Sequence, residues 1–303
     1  MMFRQGNDKI SRHMHVDQRN THVRDKDTGT MLRPQTGKST ARSAFSLLEV
    51  IFHASIRKVR KSHRNAAFGL FMNMVQSMIF VGVFLMLFFL LGIRGASIRG
   101  DYMLFIMSGV FMFMTHTKTI GAVSGAENST SPMMKHAPMN TIVSIGAAAL
   151  STLYIQVLSA CSILFLYHVI WQPITIDQPV GTIAMFLLAW ASGLAIGMVF
   201  LAAQPWNPNL FGTVSTIYQR LNMIFSGKMF VANVMSTTML VMFIWNPLFH
   251  IIDQARGFIF LNYTPHNTSI AYPVKFTVAC LLIGLMAEFY TRKHASASWS
   301  AGQ

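Results

Sequence analysis

The sequence predicts an all-α integral membrane protein: six transmembrane helices, an N-terminal amphipathic interface helix, and a re-entrant helical hairpin before the last span. Three observations predict it. The 303 residues are 52% hydrophobic and only 11% charged, with mean hydropathy +0.44, which is too apolar for a soluble domain of this size. Long stretches carry no charge at all; between Arg64 and Arg94 there are 29 such residues, where a span needs about 20. The cations crowd one end, since residues 1–69 hold 14 of the 24 Lys and Arg but 5 of the 10 Asp and Glu. A basic flank beside an apolar body points to anionic lipid and a cytoplasmic face, not to nucleic acid.

Residues 1–42 mix charge, Gly, Thr, Asn and His, and bury too little surface to offset ordering entropy, so a disordered basic cytoplasmic tail is expected. Over 43–66, Phe45, Leu48, Phe52, Ile56 and Val59 recur at helical spacing, with Arg57, Lys58, Arg60, Lys61 and Arg64 at the end. This is the pattern of a helix lying in the membrane interface. The domain 67–303 follows, with spans expected at about 70–92, 103–123, 142–169, 181–203, 212–230 and 273–291. Lys118 at the end of the second span is placed to snorkel to the surface. Pro-broken turns, WQPITIDQP and PWNPNLF, separate the third, fourth and fifth spans. Residues 231–272 contain two apolar pieces too short to cross separately, which predicts the re-entrant hairpin. An even number of spans puts both termini on one side. The basic amino flank with Arg292 and Lys293, set against Arg94, Arg99 and Arg256 elsewhere, makes that side cytoplasmic.

The chemistry-bearing residues are sparse. RPQTGKSTARS contains Gly37, Lys38 and Ser39 of a phosphate-binding loop. The first glycine of that motif falls on Leu32, and no core strand precedes it, so the match is read as chance. Cys161 and Cys280 lie in apolar runs and form no disulfide framework or metal spacing. Sequons at Asn128, Asn262 and Asn267 are short patterns without other support. Beyond residue 69 the acids Asp101, Glu127, Asp177, Asp253 and Glu288 are scattered between opposite surfaces, which argues against catalysis by this chain and against proton-coupled transport. His250, Asp253 and Arg256 are spaced i, i+3, i+6, so that on one helix Asp253 can pair with either neighbour. What remains is a pathway without its own energy source.

Three segments, GAENSTSPMMKHAPMN (125–140), SGKMF (226–230) and WNPLFHIIDQARGFIF (245–260), in this order of helices resemble the ABC-2 type permeases that export bacterial capsule and O-antigen polysaccharides. The resemblance covers about 43–293 and is most specific over Trp245 to Arg256; the flank IRKVRKSHRNAAFG is a loose version of the family's basic motif, and the tail has no assigned counterpart. It implies a permease subunit of an ATP-binding cassette exporter in the bacterial inner membrane, with no cofactor in this chain and ATP and Mg on a separate ATPase subunit. The implied partners are that ATPase, a second copy of the chain, a lipid-linked polysaccharide, membrane lipid, and export proteins of the periplasm and outer membrane. The implied coupling element to the ATPase contains Glu127, Asn128, Pro132, Lys135 and Pro138, and the implied outer gate contains Trp245, His250, Asp253 and Arg256. Sugars offer C–H faces to aromatic rings, so Phe68, Phe71, Phe80, Tyr154 and Tyr218 are candidates for a glycan path between two copies. Alternatives within reach of the same sequence are an exporter of another lipid-linked polymer or of a small lipophilic compound, and a membrane-embedded sugar transferase.

Overall fold

A computed structural model describes residues 40–62, 66–90, 100–127 and 140–300, and every contact reported below lies within the unit Ala44–Gln303. Among the described residues the regular structure is helical. In chain order the helices are α1 (Thr40–Ser62), α2 (Ala66–Leu90), α3 (Tyr102–Ser124), α4 (Thr141–Ile170), α5 (Pro179–Ala203), α6 (Pro208–Phe225), α7 (Thr237–Phe243), α8 (Pro247–Ile259) and α9 (Ala271–Ser300). A 3₁₀ turn, Ala232–Val234, precedes α7.

Helix α3 is central and packs against α2, α4, α5, α6 and α8. Asp101 starts it: one carboxylate oxygen accepts the Met103 N–H at 2.9 Å, satisfying an orphan donor of the first turn. The other accepts the Tyr167 hydroxyl at 2.7 Å and so ties this end of α3 to the end of α4. The α3–α5 seam is close because Gly193 has no side chain; a Cβ there would stand 2.5 Å from the His116 carbonyl oxygen. His116, fully buried in that seam, shares a 2.9 Å hydrogen bond with Ser192. At the far end of α5, Thr291 of α9 donates to the Ala202 carbonyl at 3.1 Å, and Trp206 stacks on Tyr290.

Four helices, α3, α4, α5 and α9, are long and apolar enough to cross a membrane, and α2 contributes a shorter apolar stretch, Phe71–Leu87. They are also differently placed: the most apolar stretch of α3 is mostly buried, whereas few residues in those of α4 and α9 are. Helix α6 departs from the expected 212–230 at both ends. Asn207 caps it and Pro208 opens it, and the helix stops at Phe225 because Gly227, at φ 66°, turns the backbone into the left-handed region. Helix α9 runs past Arg292 and Lys293 to Ser300. The Lys118 ammonium donates to Gln76 of α2 at 2.6 Å in an exposed hydrogen bond. Cys161 is exposed on α4, and Cys280 is partly buried on α9. The expected tail, 1–42, lies outside the described residues except for its last three.

Candidate functional site

The polar chemistry of the described residues concentrates where the 226–246 connection, α8 and the loop 260–270 meet. Asn246 starts α8: its carbonyl oxygen accepts the Leu248 N–H at 3.0 Å, and its amide donates to Asn222 at 2.8 Å and to the Phe225 carbonyl at 2.9 Å. One side chain therefore caps α8 and closes the end of α6. The helix then buries Pro247, Leu248, Phe249, Ile251, Ile252 and Ala255 together with His250, Asp253 and Arg256.

Arg256 is completely buried. One guanidinium nitrogen donates to the Gly227 carbonyl at 3.2 Å and to that of Phe230, and the other donates to the Lys228 carbonyl. Its carbon lies 3.9 Å from the centre of the Phe105 ring. The planar five-donor fork suits this task, since it gathers three carbonyls of a tight loop while its face stacks on an aromatic ring. A glycine is required in that loop: a Cβ at Gly227 would meet the Phe249 ring at 2.2 Å.

Asp253 has neither His250 nor Arg256 as its hydrogen-bond partner, contrary to the pairing that the spacing suggested. It accepts instead from the hydroxyl of Tyr263 and, at 2.7 Å, from that of Thr268. Burial and the adjacent Asp253 charge push the Tyr263 hydroxyl well above the ordinary phenol range, so it acts as a permanent donor here. His250 takes an N–H of Ser269 on Nδ1 at 3.1 Å, which leaves Nε2 to carry the hydrogen donated to the Ile244 carbonyl at 2.9 Å. Gln254 donates to both oxygens of Thr268, each at 2.9 Å. All four polar side chains of α8 therefore face backbone or loop partners. The gate residues His250, Asp253 and Arg256 form one cluster bonded to the neighbouring loops, in which the buried Arg256 Nε has no hydrogen-bond partner among the described residues, while Trp245 stands 76% exposed at its edge.

Sequence reasoning missed Lys228, the middle of SGKMF. It is 97% withdrawn from solvent (3% exposed), donates to the Met223 carbonyl, and lies 5.7, 5.1 and 3.9 Å from the ring centres of Phe80, Phe84 and Phe113. A cation interrupting an apolar run was the available signal; the rings come from α2 and α3, more than a hundred residues away in sequence. Tyr263 and Thr268 were missed for the same reason of distance in pattern, not in space.

The remaining candidates are dispersed. Phe68, Phe71 and Tyr154 are exposed, on α2 and α4. Phe80 is partly buried, stacked on Phe113 at 5.7 Å. Tyr218 of α6 packs against Phe200 at 5.8 Å. They are not brought together within one chain. Of the coupling residues, Glu127 is described: its N–H donates to Ser144 at 3.0 Å, next to the start of α4. Its charge also acts on Lys58 of α1, whose ammonium is held below its ordinary value by burial despite that acid. Asn128, Pro132, Lys135 and Pro138 lie outside the described residues. Among the described residues no three metal-ligating side chains gather.

Long apolar helices around a short buried helix whose polar side chains bond to the neighbouring loops mark an integral membrane protein. Two proteins of Escherichia coli, each a polysialic acid transport protein KpsM, are similar to this chain at 22% identity. One alignment covers 64% of this chain and 75% of the relative, and the other 69% and 82%. No family model matches the chain.

Proposed function

We propose that this chain is the permease subunit of an ATP-driven exporter that moves a lipid-linked cell-surface polysaccharide, capsule or O-antigen, across the bacterial inner membrane. The observation that carries the reading is the similarity of about two thirds of an apolar helical chain to two proteins named for transport of an acidic polysaccharide. In this reading there are six spans, with α2 and α6 joining the four long helices, and α7 and α8 form a hairpin that enters and leaves on one face. Irregular backbone at membrane depth is tolerated where its polar groups are satisfied by protein, and the carbonyls of 227, 228 and 230 are satisfied by Arg256.

Two copies enclose the path, both termini are cytoplasmic, and an ATPase subunit carrying ATP and Mg docks on the segment from Glu127 to Asn140. Closure of that subunit moves α3 and α4, which flank the segment. The hairpin is the outer gate: Arg256 and Asp253 make it a preformed unit that moves as one piece. A clean deletion tests the reading. The polymer is expected to be synthesised and retained in the cytoplasm, and the tagged chain is expected to co-purify with a nucleotide-binding subunit. Normal surface display in the deletion strain overturns it.

A further inference from the structure

Beside the buried cluster lies an open groove of about 490 Å³, within the ~300–1,000 Å³ typical of small-molecule sites. Its lining combines Trp245 and Tyr272 with the loop residues His266, Asn267, Thr268 and Ser269. We infer that this groove is a saccharide-binding site, in which a sugar ring lies on Trp245 and its hydroxyls meet the 266–269 loop. The inference rests on the permease reading for its biological ligand and adds to it a place on the chain where the polymer is held.

The chemistry fits a sugar better than an anionic ligand. A pyranose has one face of weakly polarised C–H bonds, which is complementary to the electron-rich face of an indole, and a rim of hydroxyls that both donate and accept. Trp245 offers such a face, being 76% exposed despite its size. The rim opposite is mixed, with an imidazole, an amide and two hydroxyls, and no carboxylate or ammonium lines the groove. A nucleotide or phosphate would call for fixed cations.

The groove is also built before any ligand arrives. Tyr272 donates to the Trp245 carbonyl at 2.8 Å, fixing the aromatic wall, and its ring lies 4.8 Å from that of His250. The loop is pinned to α8 at three points: Ser269 N–H to His250, Thr268 hydroxyl to Asp253, and Gln254 to Thr268. Asn267 donates to the Ala232 carbonyl at 3.2 Å, and Asn233 accepts the His266 N–H at 3.2 Å. Wall and rim are thus held in register, which lowers the ordering cost of binding a weakly interacting ligand. The buried cluster of α8 gains a purpose from this: it is the support of the groove floor.

The test uses the full-length chain in lipid nanodiscs, with maltotetraose as a neutral probe and a sialic acid tetramer as an acidic one, read by saturation-transfer NMR. At least one probe is expected to receive saturation on its ring protons. W245→Ala is expected to weaken that binding about tenfold, W245→Phe much less, and H266→Ala about threefold. Failure of both probes to bind a folded protein overturns the inference. So does equal binding by the parent chain and W245→Ala, which would leave Trp245 as a bilayer anchor. The permease reading fails separately: if W245→Ala displays polymer normally while deletion retains it, the groove falls and the permease stands.

Discussion

Helices α9 and α8 adjoin each other and are built on opposite principles. The first is a long apolar helix, Ala271–Ser300, with Val278, Leu282, Ile283, Met286 and Phe289 exposed along its length. The second, Pro247–Ile259, is short and buried and carries a histidine, an aspartate and an arginine whose partners all come from elsewhere in the chain. Helix α9 is held on one side by its seam with α5, while its other face is apolar and exposed, so that single side chains there meet no partner in the chain. For α8 a buried polar group that loses its partner has no water to turn to. The difference teaches where single substitutions in such a protein should matter.

The largest effect is expected at Arg256. Replacement by Met leaves three loop carbonyls unmet and is expected to destabilise the protein by about 3–5 kcal/mol, seen as loss of the monodisperse fraction and a lower midpoint in detergent melts. R256K should recover only part, since an ammonium cannot fork to three carbonyls while stacking on Phe105. Next comes Y263F, which removes one of the two hydroxyls on buried Asp253 and is expected to cost about 1–3 kcal/mol. N246A, which takes away the cap of α8 and its bridges to Asn222 and Phe225, should cost about 1–2 kcal/mol in the same melts. L282A on the exposed face of α9 is expected to stay within about 0.5 kcal/mol of the parent. If L282A proved as damaging as R256M, the contrast between the two helices would be lost.

The same contrast explains what could be read beforehand. The helices near 103–123, 142–169 and 181–203 were legible because hydropathy is a property of the segment alone, and Pro179 and Asn140 mark their starts. The end of α6 was not, since apolar character continues through Met229 and Phe230 while the backbone turns at Gly227. In the site, the spacing of His250, Asp253 and Arg256 put all three on α8, but their partners depend on how the chain returns. Asp253 meets Tyr263 and Thr268, ten and fifteen residues on, and Arg256 reaches back to 227–230. Lys228 drew no attention because its surroundings are three rings from α2 and α3, which no local pattern predicts.

Export itself gives the most direct measurement. Inverted membrane vesicles containing this chain and the ATPase subunit proposed for it, supplied from outside with the proposed lipid-linked polymer, are treated with ATP and then with a glycosidase that cannot cross the bilayer. The account expects the polymer to become protected only when ATP and this chain are both present. Protection of equal extent in vesicles lacking this chain, or none in vesicles holding chain, ATPase and ATP together, would contradict it.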